Sequence, residues 1–337
     1  MSMVWPGALG VAFLAFAASA GSVRLLIGYL NKRQILDLPN HRSSHKVPTP
    51  RGGGLGVTPV VALAWAVLAG LGAAGPLPWL AASIGGAVVL LLTSWWDDRH
   101  DLPALPRFGI HVVCVMAALA VLPDDALVFQ GWLPWGMDRA VALVGGVWFI
   151  NLYNFMDGID GITGVETASL GIGIALVSAL SGAVPGVVAP ALACVGAALG
   201  FLVWNWHPAR IFLGDSGSVP LGFLMAGLLI QLATAGQLAA AVILPLYYLA
   251  DATITLGRRA ARGEKVWQAH RQHFYQVALN GGRRHDQVSG AILGCNALLV
   301  GWAALAALGY GLPALAGAVA TVAGFLALLQ RWARNPV

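Results

Sequence analysis

The sequence has few charged residues and few cysteines. Charged side chains make up 10% of its 337 residues, whereas 58% are hydrophobic and the mean hydropathy is +0.76. That balance excludes an ordinary soluble domain, in which about a quarter of the residues are charged. The three cysteines all fall in long apolar runs and lack the spacing of a metal site. We therefore interpret them as small apolar side chains inside helices; they are Cys114, Cys194 and Cys295.

Long apolar runs recur along the whole sequence. Each is close to the ~20 residues that a membrane-spanning helix needs. The runs are continuous and rich in Ala, Leu, Val and Gly, which favours helices over the alternating strands of a barrel. We predict an all-α, polytopic integral membrane helical bundle, one membrane domain over 1–337, with about eleven spans and ten as the alternative. The predicted spans are 5–29, 53–73, 79–96, 108–123, 138–153, 162–181, 187–204, 217–233, 237–256, 288–309 and 312–331.

The basic residues predict the direction of each helix, because Lys and Arg are enriched in cytoplasmic loops. With eleven spans and the N-terminus outside, nearly all of the 19 lysines and arginines lie inside, the exception being Arg139. This asymmetry accounts for the net charge of +5, so the basic pI gives no argument for a nucleic-acid partner. We predict that the active site is formed by the inner-face loops 30–52, 97–107, 154–161, 205–216 and 257–287.

Paired aspartates in two of these loops suggest a divalent cation. Asp97 and Asp98 are adjacent carboxylates, which repel each other unless they meet a cation or stay hydrated. Hard oxygen ligands favour Mg²⁺ or Mn²⁺, although a solvated helix end is the alternative. Asp157 and Asp160 precede the sixth predicted span. One helix cap requires only one such residue, and Asn154 would then be unexplained.

Other clusters suit phosphate. Lys46 and Arg51 flank a Pro-rich turn that runs into three glycines, whose N–H groups can approach an anion closely; a simple topology determinant is the alternative. Asp215 precedes the eighth predicted span together with two serines, which is more than one cap requires. Donors or cations suited to a pyrophosphate follow at His270, Arg271 and His273.

In this order, the motifs resemble those of the polyprenyl-phosphate N-acetylhexosamine-1-phosphate transferase family. The motifs are Asp97-Asp98, Asn154-x-x-Asp157-Gly158-x-Asp160-Gly161, Asn205-x-x-Pro208-Ala209 and Phe212-Leu213-Gly214-Asp215-Ser216-Gly217-Ser218. The resemblance runs from about Lys46 to His273. It implies a multi-span fold in the bacterial inner membrane with its active site on the cytoplasmic face. It also implies a reaction in which a UDP-linked N-acetylated sugar and undecaprenyl phosphate give undecaprenyl-diphospho-sugar and UMP.

The same resemblance implies roles for individual residues. Asp97, Asp98 and Asp157 match catalytic positions, and Asp215 matches the metal ligand for Mg²⁺, with Mn²⁺ as the alternative ion. Asp160, Asn205 and Phe212 match positions near the uridine, where Phe212 could stack on uracil. The full set of implied substrate-binding residues is Lys46, Asn154, Asp160, Asn205, Phe212, His270, Arg271 and His273.

Some details depart from the peptidoglycan members of the family. Those enzymes carry three consecutive histidines where this chain has Arg271-Gln272-His273. The pattern looks closer to enzymes that initiate O-antigen-type polysaccharides, with N-acetylglucosamine or a 6-deoxy sugar as the donor sugar. The implied partners are undecaprenyl phosphate, the UDP-sugar and membrane lipid, and a homodimer is left open.

The alternative function is a secondary transporter or flippase of an anionic substrate. Transporters place charges near the bilayer midplane and often contain inverted repeats. Here the acidic clusters lie at predicted span ends and no repeat is detectable, which favours the transferase.

Overall fold

A computed structural model describes residues 4–39, 47–100, 102–266, 268 and 270–334. Within these ranges the chain is almost entirely helical, and one short antiparallel pair of strands joins β1 (Leu36–Asp37) to β2 (Thr49–Pro50). The helices are α1 (Val4–Lys32), α2 (Gly54–Gly70), α3 (Leu77–His100), α4 (Ala104–Ala120), α5 (Trp135–Phe155), α6 (Ile162–Ser181), α7 (Val188–Asn205), α8 (Asp215–Leu232), α9 (Leu238–Ile243), α10 (Leu246–Ala261), α11 (Phe274–Asn280), α12 (His285–Ala307) and α13 (Gly311–Arg334).

Seven described helical segments are long and apolar enough to cross a membrane. Helices α2 and α4 are apolar but shorter. The prediction of an all-α polytopic membrane bundle is thereby confirmed, whereas the number of spans and the side of the N-terminus stay predictions. The seven segments are Pro6–Lys32, Leu77–His100, Ile162–Ser181, Pro185–Asn205, Asp215–Ile243, His285–Ala307 and Gly311–Arg334.

The ninth predicted span, 237–256, is not one continuous helix. Helix α9 ends at Ile243, and α10 begins at Leu246, directly after Pro245. Proline has no backbone N–H and crowds the preceding turn, so it interrupts a helix at this point. The helix also kinks before α9, where Gly236 adopts a φ of +86° that favours glycine. The break matters because α10 lines the cavity described below.

Small residues let α1 lie directly against α7. A side chain at Gly196 would collide with the backbone carbonyl of Ala12, and one at Gly200 would collide with that of Phe16. Ser19 reinforces this contact, because its hydroxyl donates to the Ala197 carbonyl at 2.7 Å. Close approach through small residues is the usual basis of helix association in a bilayer, where lipid offers no hydrophobic driving force between helices.

A second close contact brings together the N-termini of α2 and α8. Gly54 lies so near Gly217 that any Cβ at Gly54 would overlap the Gly217 backbone. The segment before α2 also pairs with the segment before α8. Phe212 N donates to the Pro50 carbonyl at 2.8 Å, and Gly53 N donates to the Phe212 carbonyl at 2.9 Å. Two loops that are far apart in sequence therefore form one backbone unit.

A bulky side chain at Gly200 should disrupt the α1–α7 contact. We expect Gly200→Leu to destabilise the protein by about 1–3 kcal/mol or more, the usual cost of overpacking, and to lower the midpoint of thermal unfolding in detergent. Gly28→Leu is the matched control, because nothing lies within 4 Å of a Cβ at that position in α1. Equal unfolding temperatures for the two variants would contradict this packing.

Candidate active site

A cluster of ion pairs lies where α3 ends and α8 begins. Arg51 Nη2 lies 2.8 Å from Asp98 Oδ1 and 2.9 Å from Asp215 Oδ1. The Asp98 side chain is only 4% exposed, whereas that of Asp215 is 22% exposed. Because Arg51 belongs to the segment that pairs with Phe212, the backbone contact between the two loops also sets the position of its side chain.

Arg107, in the first turns of α4, completes the cluster. Its Nη1 forms a short ion pair with Asp97 Oδ2 and lies 3.8 Å from Asp215 Oδ2. The other Asp97 oxygen accepts a hydrogen bond from the Leu102 N–H at 2.7 Å. Sequence reasoning missed Arg107 and read the loop 97–107 only for its aspartates. The available signal was a basic residue just inside an apolar helix. A charged side chain inside a membrane costs free energy, so its presence indicates a function.

The oxygen atoms of this cluster fit a divalent cation. Asp97, Asp98 and Asp215 outnumber the two guanidinium groups of Arg51 and Arg107, so the cluster keeps a net negative charge when all five are ionised. Asp98 Oδ1 is buried and close to Arg51, yet it lacks the geometry of a hydrogen bond. An under-coordinated carboxylate oxygen beside a second carboxylate is the donor set that Mg²⁺ or Mn²⁺ prefers.

Asn154 and Asp157 lie beside the same cluster. Asn154 Nδ2 donates to Ser218 Oγ at 2.9 Å, which ties the end of α5 to the first turn of α8. Asp157 is half-buried in the turn that follows α5. Desolvation is the largest influence on this carboxyl; it raises the pKa of Asp157 to about 7, and the negative charge of Asp215 adds to the shift. Asp157 can therefore exchange a proton near neutral pH.

Asp160 is held by two histidines that were not among the site residues predicted from the sequence. Its Oδ2 lies 2.6 Å from His207 Nδ1 and accepts from the Ala209 N–H at 3.2 Å, while Oδ1 lies 3.1 Å from His285 Nδ1. Burial opposes ionisation of this carboxyl, but the close contacts with His285 and His207, together with the hydrogen bond from the Ala209 N–H, bring the pKa of Asp160 below its ordinary value. The ligand atoms of Asp160, His207 and His285 lie within 4.8 Å of one another and could hold a metal ion.

Asn205 is engaged with the backbone on both sides of its amide. Its Oδ1 accepts from the Gly161 N–H at 2.9 Å, and its Nδ2 donates to the Ile211 carbonyl at 2.8 Å. The residue is 5% exposed. Asn205 therefore joins the turn before α6 to the loop before α8, and contact with a nucleotide stays a prediction for it. Phe212 is half-buried beside this loop, and its stacking role likewise stays a prediction.

The loop that contains His270 and His273, called the histidine-containing loop below, is anchored by Asp251. Asp251 is a residue of α10 with no exposed surface. The Asp251 carboxylate accepts from the N–H groups of Phe274 at 3.0 Å and Tyr275 at 3.2 Å, and Oδ1 lies 3.1 Å from His273 Nδ1. His273 is consequently 2% exposed, and its Nδ1 faces Asp251. Sequence reasoning treated His273 as a substrate contact and did not predict this anchoring role for Asp251.

His270 and Arg271 lie at the edge of this anchored loop. The His270 and His273 rings are 4.8 Å apart between centroids. Burial, with the neighbouring charges of His273 and Arg259, lowers the pKa of His270 to about 4, so this imidazole is neutral at pH 7. Arg271 is half-buried and keeps an unpartnered Nε. Their roles as substrate contacts stay predictions, and Lys46 lies outside the described residues.

A large cavity of about 990 Å³ opens beside the ion-pair cluster. Asp97, Arg107, Asn154 and Asp215 lie at its polar end, and most of the remaining wall is apolar, with His111 and Asn151 among the polar exceptions. Helices α4, α5 and α10 supply most of that wall, and α3 and α8 also contribute to it. Several of its side chains are also exposed on the outer surface of the bundle, so the cavity is open to the side. The apolar residues include Leu105, Phe108, Leu143, Val144, Val147, Trp148 and Leu256.

Comparison with known proteins identifies similar sequences. The family described as Glycosyl transferase family 4 matches residues 80–233. The chain is 31% identical to the phospho-N-acetylmuramoyl-pentapeptide-transferase of Synechococcus sp. (strain JA-2-3B'a(2-13)), over 77% of this chain and 79% of that protein. It is 30% identical to the decaprenyl-phosphate N-acetylglucosaminephosphotransferase of Mycobacterium leprae (strain TN), over 78% and 75%. It is 27% identical to the probable undecaprenyl-phosphate N-acetylglucosaminyl 1-phosphate transferase of Bacillus subtilis (strain 168), over 74% and 71%.

Removing the Asp251 carboxylate should release the histidine-containing loop. In Asp251→Ala, two buried N–H groups lose their acceptor, at a cost of about 1–3 kcal/mol for each unsatisfied group. We expect faster tryptic cleavage after Arg262 and Lys265 in the purified protein. Asp124→Ala is the control, because Asp124 is exposed in the loop between α4 and α5. Cleavage at the wild-type rate in Asp251→Ala would contradict the anchoring role.

Proposed function

Because this chain belongs to the polyprenyl-phosphate N-acetylhexosamine-1-phosphate transferase family, we propose that it transfers a sugar 1-phosphate from a nucleotide sugar to a polyprenyl phosphate. One observation carries the proposal. The apolar cavity between α4, α5 and α10 ends at the cluster formed by Asp97, Arg107 and Asp215. A long isoprenoid chain fits the apolar part of such a cavity, and its phosphate then meets the charged end.

The charges of the cluster suit two phosphorylated substrates. Arg51 and Arg107 provide two cations, and guanidinium groups bind phosphate oxygens through paired hydrogen bonds. Asp98 and Asp215 would hold Mg²⁺, which neutralises charge on phosphate oxygens when it is bound. Arg51 already bridges Asp98 and Asp215, so it can turn from these carboxylates to a substrate phosphate once a cation shares them. Asp97 orients Arg107 through their ion pair.

We propose a direct in-line displacement. An oxygen of the lipid phosphate attacks the β-phosphorus of the UDP-sugar, the bond from that phosphorus to the bridging oxygen breaks, and UMP leaves with the bonding electrons. Transfers of this kind depend mainly on positioning and charge neutralisation. The lipid phosphate is already ionised near neutral pH, so it needs no strong base. Asp157, whose pKa of about 7 allows proton exchange, can accept a proton from a phosphate that is still protonated.

The finer assignment follows the sequence motifs. We propose a UDP-linked N-acetylhexosamine or 6-deoxy-N-acetylhexosamine as donor, undecaprenyl phosphate as acceptor and the first step of O-antigen-type polysaccharide synthesis as the role. The uridine end would bind near Phe212 and Asp160, and the diphosphate near His270 and Arg271. The site would face the cytoplasm from an inner membrane, with eleven spans and the N-terminus outside.

The transporter alternative has less support. Transport sites lie near the bilayer midplane, whereas Asp97, Asp98 and Asp215 lie at helix ends. Glu166 is the exception; it is buried one turn into α6 and accepts a hydrogen bond from Asn296 Nδ2 at 2.7 Å. This contact partners one oxygen of the carboxylate inside the bundle, and Glu166 does not line the described cavity.

The decisive assay combines purified protein, undecaprenyl phosphate, Mg²⁺ and a panel of UDP-sugars, with the lipid product and UMP as readouts. We expect one N-acetylated donor to be used, and we expect Asp215→Asn to reduce turnover at least about 10²-fold because a charge-stabilising group is lost. Asp124→Asn should behave as wild type. No transfer from any donor by correctly folded protein would overturn the proposed function, and near-normal turnover by Asp215→Asn would overturn the metal assignment.

The role of Phe212 is tested by Phe212→Ala. Base stacking on an aromatic side chain is worth about 1–3 kcal/mol, so the KM for the nucleotide sugar should rise about 5- to 150-fold. The KM for undecaprenyl phosphate should change little. Phe108→Ala in the apolar wall is the reciprocal control and should affect the lipid substrate instead. An unchanged KM for the nucleotide sugar in Phe212→Ala would exclude stacking.

A further inference from the structure

Two arginines approach the same indole ring outside the cavity of the candidate active site. The Cζ atom of Arg24, in α1, lies 5.3 Å from the ring centroid of Trp204, and that of Arg210 lies 5.7 Å from it. Trp204 belongs to the last turn of α7. In the part of the chain that the structure describes, Trp204 is the only ring approached by two arginines; Arg33, for instance, stacks alone on Tyr29.

The framework that carries these cations is fixed. Trp204 Nε1 donates to the Ala20 carbonyl of α1 at 2.8 Å, one turn before Arg24. Arg210 N donates to the Trp204 carbonyl at 2.8 Å, which closes the loop after α7. The close α1–α7 contact at Gly200 lies one turn away from Trp204. The indole and the two backbone attachment points are therefore set before any ligand arrives.

The charges on this framework are not neutralised by carboxylates. Among residues 4–39, 47–100, 102–266, 268 and 270–334, no carboxylate oxygen lies within 4 Å of a nitrogen of Arg24 or Arg210. Arg51, Arg107 and Arg259, by contrast, each pair with a carboxylate. Like charges that share one ring repel each other, and the repulsion grows as the dielectric constant falls. A bound anion would remove this cost.

The depth of Arg24 indicates which anion is available. Arg24 lies within the apolar segment Pro6–Lys32, eight residues before its end, and its side chain is exposed. At 1.5 Å per residue it lies about 12 Å from Lys32 along the helix. Tryptophans such as Trp204 favour the interface between membrane and water. From that level the long side chain of an exposed arginine can extend toward the phospholipid headgroups, and basic clusters at the cytoplasmic face attract anionic lipids.

We propose that Arg24, Trp204 and Arg210 form a binding site for the phosphate of an anionic membrane phospholipid. The lipid phosphate would accept hydrogen bonds from both guanidinium groups, and an acyl chain would lie along the exposed surface of α1. This lipid is not the substrate, because none of the three residues lines the apolar cavity beside α4, α5 and α10. The bound lipid would also stabilise the end of α7, where Asn205 holds the Gly161 N–H.

The test measures lipid retention by native mass spectrometry of the purified full-length protein, titrated with phosphatidylglycerol or with phosphatidylcholine. Each arginine near an anionic headgroup contributes to the free energy of lipid binding. The double variant Arg24→Gln with Arg210→Gln should therefore weaken phosphatidylglycerol binding about tenfold or more. Phosphatidylcholine binding should be equal in all proteins. The control pair, Arg33→Gln with Arg334→Gln, removes the same charge from exposed positions at the same end of the bundle and should retain wild-type binding.

Two further measurements keep the result interpretable. Arg24→Lys with Arg210→Lys preserves the charge and should recover most of the binding, which separates anion recognition from a folding defect; size-exclusion profiles check folding in every variant. Inorganic phosphate is the competing probe. Wild-type phosphatidylglycerol binding by the double glutamine variant, an equal loss in the control pair, or displacement of the lipid by equimolar inorganic phosphate would each overturn the proposal.

Discussion

The contact between the segment before α2 and the segment before α8 determines where the charged groups of the site lie. Backbone hydrogen bonds from Gly53 and Phe212 join the two segments, and Gly54 allows the two helix ends to touch. This contact positions Arg51 between Asp98 and Asp215. Without that cation the two carboxylates would repel each other in a poorly hydrated place. The acidic pair is thus tolerated in the resting protein because an arginine from a distant loop stands between its members.

The other polar residues divide into those that face the cavity and those that hold loops together. Asp97, Asn154 and Asp215 line the cavity. Asn205 and Asp251 are buried and accept hydrogen bonds from backbone N–H groups. A loop at a membrane surface has few apolar contacts to order it, so buried acceptors that collect several N–H groups give it a defined shape. This arrangement explains why so many polar residues lie near one site.

Much of the fold was predictable from the sequence because hydrophobic length is a strong signal in a membrane protein. The apolar runs gave the helices, and the paired aspartates marked the polar end of the cavity. The break at Pro245 was missed, since the run on either side of it is apolar. The roles of Arg107, His207 and Asp251 were also missed. Each depends on a partner from a distant segment of the chain, and a local sequence pattern does not predict such a pairing. The cavity itself results from packing between several helices and has no sequence signature.

The lateral opening of the cavity between α4, α5 and α10 has a consequence for how such an enzyme would be supplied. Under the proposed function, the isoprenoid acceptor would enter the cavity laterally from the leaflet, and the lipid-linked product would leave by the same route. Neither molecule would then need to be extracted into water. The rate would then follow the surface density of acceptor within the leaflet, and dilution of the bilayer with inert lipid would slow turnover even at a constant bulk amount of substrate.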